Sequence, residues 1–155
     1  MTLKACTLLL LIAMTSATSV AASSQAIDVC ALMPREELMS ITGRKDFGNG
    51  RSSPLPEGAM QCRYPGATGS ITLVAAKSAK TKWDAFIADL KKNGATLEAA
   101  PGVGVAAFFW DAGRLYAHSG SHEVSISTST TPASDLAKVR ASEIALAKAL
   151  LGKLK

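Results

Sequence analysis

Arg63, Phe108, Trp110, Arg114, Tyr116 and His118 are the residues of this chain whose types best suit holding another molecule. Guanidinium groups offer forked N–H donors to anions, and aromatic rings supply apolar area with a polar edge. The six fall at alternating positions of three short segments, opposite residues that read as core. With those segments as strands in phase, cationic and aromatic side chains gather on one sheet face, the composition of an interface or an anionic-ligand site. The competing account is that a loop such as 44–59 covers that face.

Other constellations are weaker. His118, His122 and Glu123 can be drawn as a metal site, but the two histidines flank a turn, where that spacing does not bring imidazoles together as a helix does. They read as exposed turn residues, and no metal or cofactor is expected. Gly102-Val103-Gly104 leads into a strand, so it offers no helix N-terminus to a phosphate. Ser119, Ser121, Ser125, Ser127 and Ser129 are plentiful, yet none stands in a Gly-x-Ser-x-Gly elbow, and no catalytic residue is assigned. Glu143 projects from the apolar face of the last helix with Arg140 one turn before it, which predicts a sheltered ion pair. On the same helix Ala137, Ala141, Ala145 and Ala149 recur every four residues, either as exposed helix formers or as a seam for another helix.

The compartment follows from the N-terminus. Lys4, an apolar stretch led by Leu8, Leu9, Leu10, Leu11 and Ile12, and small residues ending Val20-Ala21-Ala22 form the three parts of a secretory signal, residues 1–22, with Ala26 as a second cleavage position. No apolar run reaches the length of a bilayer span. Cys6 precedes the hydrophobic core rather than following it, so a lipid anchor is not assigned. Removing the signal takes the formal net charge from +5 to +4, since it contains one lysine and no acid. The remaining lysines are spread rather than massed, and with export this argues against nucleic acid while leaving weak attraction to an anionic membrane surface open. Of three cysteines only Cys30 and Cys62 remain, and two cysteines in an oxidising compartment pair.

The elements that must position these residues are those of one domain, 23–155. Residues 27–43 read as a short opening helix, with Pro34 suited to the first helical position and Gly43 as its stop. Residues 44–59, rich in Gly, Ser and Pro, read as a long and poorly ordered loop. Residues 60–64 and 70–77 alternate as a hairpin around Pro65-Gly66. Trp83, Phe86, Ile87 and Leu90 give 81–93 the apolar stripe of an amphipathic helix facing the core. Residues 101–110 pass into a strand apolar on both faces, 114–118 and 123–128 follow as strands, and a helix capped near Ser134-Asp135 closes the chain on Leu136, Val139, Leu146, Leu150 and Leu154. The hairpin and helix from residue 60 to 93 are echoed weakly about 53 residues later. The order α-β-β-α-β-β-β-α predicts an α+β fold, a five-stranded antiparallel sheet with helices packed mainly on one face.

Three stretches, Cys30-Ala31-Leu32-Met33-Pro34-Arg35-Glu36-Glu37-Leu38, Cys62-Arg63-Tyr64 and Pro101-Gly102-Val103-Gly104-Val105-Ala106-Ala107-Phe108, resemble a family of small exported domains of unknown function, found as lipoproteins and as sensor-like modules. The resemblance covers most of the mature chain and implies that Cys30 and Cys62 are the family's paired cysteines. Val105 stands where the family pattern has Asp, and Met33 where it has Thr or Ser. The resemblance brings no activity.

The leading expectation is therefore a non-enzymatic, periplasmic or secreted binding module, holding a protein partner or small amphiphile on the aromatic and basic face, as an inhibitor or immunity protein does. The alternative is an envelope structural protein acting through its alanine-flanked last helix. An enzyme is the remotest reading, because no acid pair or nucleophile with its base is placed to work.

Overall fold

The computed structural model describes residues 26–110, 113–130 and 135–154. The segment expected to be a signal, 1–22, the turn expected at Asp111-Ala112 and the expected cap residue Ser134 lie outside them. The described residues form four α-helices, α1 (Val29–Leu32), α2 (Arg35–Thr42), α3 (Lys80–Lys92) and α4 (Leu136–Lys153). Their strands are β1 (Arg51–Pro54), β2 (Met60–Gly66), β3 (Gly69–Lys77), β4 (Leu97–Ala99), β5 (Ala106–Trp110), β6 (Arg114–His118) and β7 (His122–Thr130). All neighbours pair antiparallel in one sheet, ordered β1-β2-β3-β7-β6-β5-β4.

The fold is α+β with an antiparallel sheet, but the sheet has seven strands rather than five. The two additional strands are its edges. β1 lies inside the segment expected to be a loop, and its Arg-Ser-Ser-Pro sequence has no apolar alternation because neither face of an edge strand need be buried; Pro54 ends it where a missing donor costs nothing. β4 has three residues, too few for a period of two to show. The rest of 44–59 is also tied down. Phe47 is buried and bridges to Gly66, while Arg44 forms a two-pronged ion pair with Asp46, at 2.8 Å and 3.0 Å, and bonds Thr68. Gly50 lies against the disulfide, where a Cβ would come within 2.6 Å of Cys62 Sγ.

The opening helix is two helices. Pro34 is not inside the first turn but at the cap, with φ −58° and ψ 150°, and it breaks α1 from α2. Gly43 ends α2 in the left-handed conformation, φ 68°. The first hairpin turns at Ala67-Thr68, since β2 runs on through Pro65 and Gly66. The echoed hairpin-and-helix units are β2-β3-α3 and β6-β7-α4, and their helices go to opposite faces of the sheet.

The larger core lies between one sheet face and the layer of α1, α2 and α4. Cys62, Tyr64, Ile71, Leu73, Leu115, Ala117, Val124 and Ile126 meet Val29, Met33, Leu38, Leu146, Ala147 and Leu150 there. The disulfide between Cys30 and Cys62, Cα atoms 5.2 Å apart, fastens α1 to β2. The Tyr64 hydroxyl donates to the Met33 carbonyl in the same corner. Lys153, at the far end of α4, reaches the Leu32 carbonyl and the Glu37 carboxylate, so the two ends of the described chain meet on this layer.

On the opposite face α3 is the one helix, among the described residues, that packs. Trp83, Leu90 and Phe108 form a second buried cluster, edged by Phe86, Ile87, Leu97, Ala106, Trp110 and Tyr116. The aromatic stripe of α3 is thus core, and the sheet is covered on one face throughout and on the other over its β4-β5-β6 half.

Candidate functional site

Cross-strand pairing places all six sequence-predicted site residues on the face that carries α3. One row of partners runs across every strand: Arg51, Arg63, Thr72, Ser127, Arg114, Trp110 and Leu97. The neighbouring row contains Ser53, Gln61, Val74, Ser125, Tyr116 and Phe108. The phase read from the alternation is therefore the one the chain adopts.

The two halves of that face differ in access, and this corrects the expectation of one open aromatic and basic surface. Phe108 is only 6% exposed and His118 only 2%, because α3 lies over them. Trp83 contacts Phe108 and His118, at ring-centroid distances of 5.5 Å and 5.2 Å, and Phe86 contacts Tyr116 at 5.4 Å. A helix, not the loop 44–59, provides the cover. Trp110 and Tyr116 are half-buried at the border, and Arg63 and Arg114 are exposed.

His118 serves the fold. Its Nδ1 accepts from the Gly120 N–H at 3.0 Å, so Nε2 carries the proton and donates to the Ser78 carbonyl, also at 3.0 Å. His122 is likewise buried rather than exposed, with Nδ1 3.0 Å from Ser121 Oγ, and burial lowers its pKa. The backbone just before β5 packs closely on His118: Gly104 takes φ 57° and lies where a Cβ would come within 2.4 Å of the His118 carbonyl, which accepts from the Val105 N–H at 2.7 Å.

Beyond the edge of α3 the sheet is open and polar. Gln61, Arg63, Ser70, Thr72, Arg114, Ser127 and Ser129 line a hollow of about 310 Å³ over β2, β3, β7 and β6. It shares Arg114 and Ser127 with a second hollow of about 330 Å³ whose wall is Trp110. Arg114 Nη1 donates to Tyr116 Oη at 3.1 Å, and its guanidinium lies 5.9 Å from the Tyr116 ring centre. Among the described residues neither Arg51, Arg63 nor Arg114 takes part in an ion pair. The hydroxyl floor was missed in the sequence because Ser and Thr in alternation say only that a strand has a wet side; the register that lines them up between two arginines is a tertiary property.

The last helix departs from expectation in a second respect. Arg140 does not pair with Glu143. It stacks on Phe109 at 4.7 Å and bonds Glu98 of β4 at 2.6 Å, while Glu143 turns the other way, toward β7. Glu143 is 1% exposed, and its Oε1 accepts from the Thr128 N–H at 2.9 Å while Oε2 has no protein partner among the described residues. Burial pushes its carboxyl up to about 7, against the smaller opposing pull of Thr128 and Arg140. Leu136 at the helix start is exposed; the buried face is Glu143, Leu146, Ala147, Leu150 and Leu151. In the alanine row Ala137 and Ala141 are exposed, Ala145 is half-buried and Ala149 packs against the core.

No protein-family model matches the chain, and no curated protein or solved structure is similar to it.

Proposed function

We propose that this chain is a non-enzymatic exported binding module, one of the small cysteine-paired exported domains whose motifs it resembles, and that it holds an anionic partner on the open half of its sheet. The carrying observation is the row Arg63, Thr72, Ser127, Arg114 and Trp110, which sets two cations without ion-pair partners among the described residues, hydroxyl donors and an aromatic edge on one accessible surface. Closure of the aromatic half by α3 leaves little apolar floor for an amphiphile, so the partner is one that presents an anionic group, as the protein target of an inhibitor or immunity protein can. The disulfide fits an oxidising compartment, and no helix among the described residues is long and apolar enough to cross a membrane.

The test is capture from envelope extract by oxidised protein beside Arg63→Glu, Arg114→Glu and Trp110→Ala variants, with an Ala141→Leu variant on the opposite layer as control. One stoichiometric partner retained by wild type and control, and lost by the three face variants, is the expected result. Equal recovery by every variant overturns the assignment of this face.

A further inference from the structure

Arg51 and Arg63 are direct cross-strand partners, and both are exposed. Like charges facing each other across an antiparallel pair are repulsive, and no acid in their row offsets them. Such an arrangement gains when an anion settles between or beside the cations. Arg63 and Arg114 are three strand steps apart, which is ~14 Å at the usual spacing, and Thr72 and Ser127 lie between them as mutual partners. Two arginine stems leaning inward can bring both guanidinium groups over this central pair. Gln61, Ser70 and Ser129 close the rim of the same hollow.

The donor count selects the anion. A carboxylate has two oxygens in one plane, and a single guanidinium fork satisfies both. Arg63 and Arg114 line opposite sides of the hollow and Thr72 and Ser127 lie between them; with Arg114 swung from Tyr116, guanidinium donors from two sides and hydroxyl donors from below suit a group with oxygens pointing in several directions. We infer that the hollow between Arg63 and Arg114 is a binding site for a tetrahedral oxyanion, a phosphoryl or sulfuryl group, seated on the Thr72 and Ser127 hydroxyls, with Trp110 flanking whatever the group is attached to. The inference rests on the open half-face being the binding surface and specifies what it grips.

The test is titration of oxidised protein with inorganic phosphate, sulfate and acetate, followed by amide chemical shifts. It is repeated on Arg63→Gln, Arg114→Gln and the Thr72→Val/Ser127→Ala double variant. Phenyl phosphate and vesicles of phosphatidylglycerol distinguish a soluble ester from a lipid headgroup. The expected result is saturable one-to-one binding of phosphate or sulfate with shifts at Arg63, Thr72, Ser127 and Arg114. Affinity should fall at least tenfold in each variant, and acetate should bind at least tenfold more weakly. Phenyl phosphate binding more tightly than phosphate, with the gain lost in Trp110→Ala, identifies a soluble ester. Vesicle binding that the hydroxyl double variant weakens identifies a headgroup.

Acetate binding as well as phosphate, or binding that ignores the hydroxyl variant, overturns the site as mere attraction to positive charge. If phosphate and sulfate do not bind while partner capture still depends on Arg63 and Arg114, the oxyanion inference falls and the binding face stands. If capture ignores the arginines as well, both fall.

Discussion

Glu143 is a carboxyl group in the main core with a hydrogen-bond donor on one oxygen only, and its protonation is a matter of folding rather than of the open face. Its pKa stands at about 7 in the fold against an ordinary 4.5, so the native state keeps a proton that the unfolded chain releases. The stability this supplies is complete below the ordinary value and is lost as pH rises through about 7, a difference on the order of 3 kcal/mol. Glu143→Gln keeps an acceptor for the Thr128 N–H and cannot ionise. Urea unfolding should show the variant level with wild type below pH 4.5 and progressively more stable as pH rises toward 7 and above; parallel pH profiles would contradict this. His122 works in the opposite sense, because a buried imidazole with a lowered pKa withdraws stability as pH falls below its ordinary 6.5. Gly50 is constrained by space, since an added Cβ would meet Cys62 Sγ at 2.6 Å and Tyr64 Cε1 at 2.7 Å. Gly50→Ala should cost about 1 to 3 kcal/mol, read as a lowered urea midpoint with the slope unchanged.

Among the elements, α3 decides how much of the second sheet face is usable. Its one fully engaged aromatic, Trp83, is 2% exposed and touches Phe86, Phe108 and His118. Trp83→Ala should cost roughly 3 to 5 kcal/mol and bare Phe108 and Tyr116, which rising fluorescence of a hydrophobic dye would report. α1, of four residues, is too short to hold itself together and depends on its disulfide. Replacing Cys30 and Cys62 by Ser should remove roughly 3 to 4 kcal/mol on the chain-entropy account and release amide protection in α1 first; protection lost uniformly would argue that the bond only restrains the unfolded chain. These elements also show what the sequence makes legible. Apolar alternation in β2, β3 and β7 and the stripe on α3 identified strands, helix and buried sides, because burial on one face imposes a period. Nothing imposes a period on β1 or β4, and nothing local says which side of the sheet a helix will take. α3 therefore read as a core helix without revealing that its partners were Phe108 and His118, themselves chosen as surface. The arginines of the site were legible from phase; the hydroxyls between them were not, since they come from β3 and β7, which meet only in the folded sheet.

At the scale of the whole molecule the two sheet faces have separate duties. One is buried under α1, α2 and α4, and the other is shared between α3 and the polar, cationic area. Because the formal net charge is small, +5, the attraction proposed for an anionic partner would be local to that area and would fall with salt once charges lie beyond about 10 Å. Partner capture should therefore weaken steadily with ionic strength in wild type and lose that dependence in Arg63→Gln/Arg114→Gln; a salt response unchanged in the double variant would place the attraction elsewhere. The meeting of the two ends of the described residues, near Ile27 and Lys153, has a separate consequence. Ile27 packs into the main core, and Lys153 reaches the Leu32 carbonyl and Glu37, so attachment points at either end belong to the helical layer. A linker joined beside Ile27 or Lys153, whether to a bead, a sensor chip or another domain, would leave the arginine and hydroxyl row facing outward, away from its anchor.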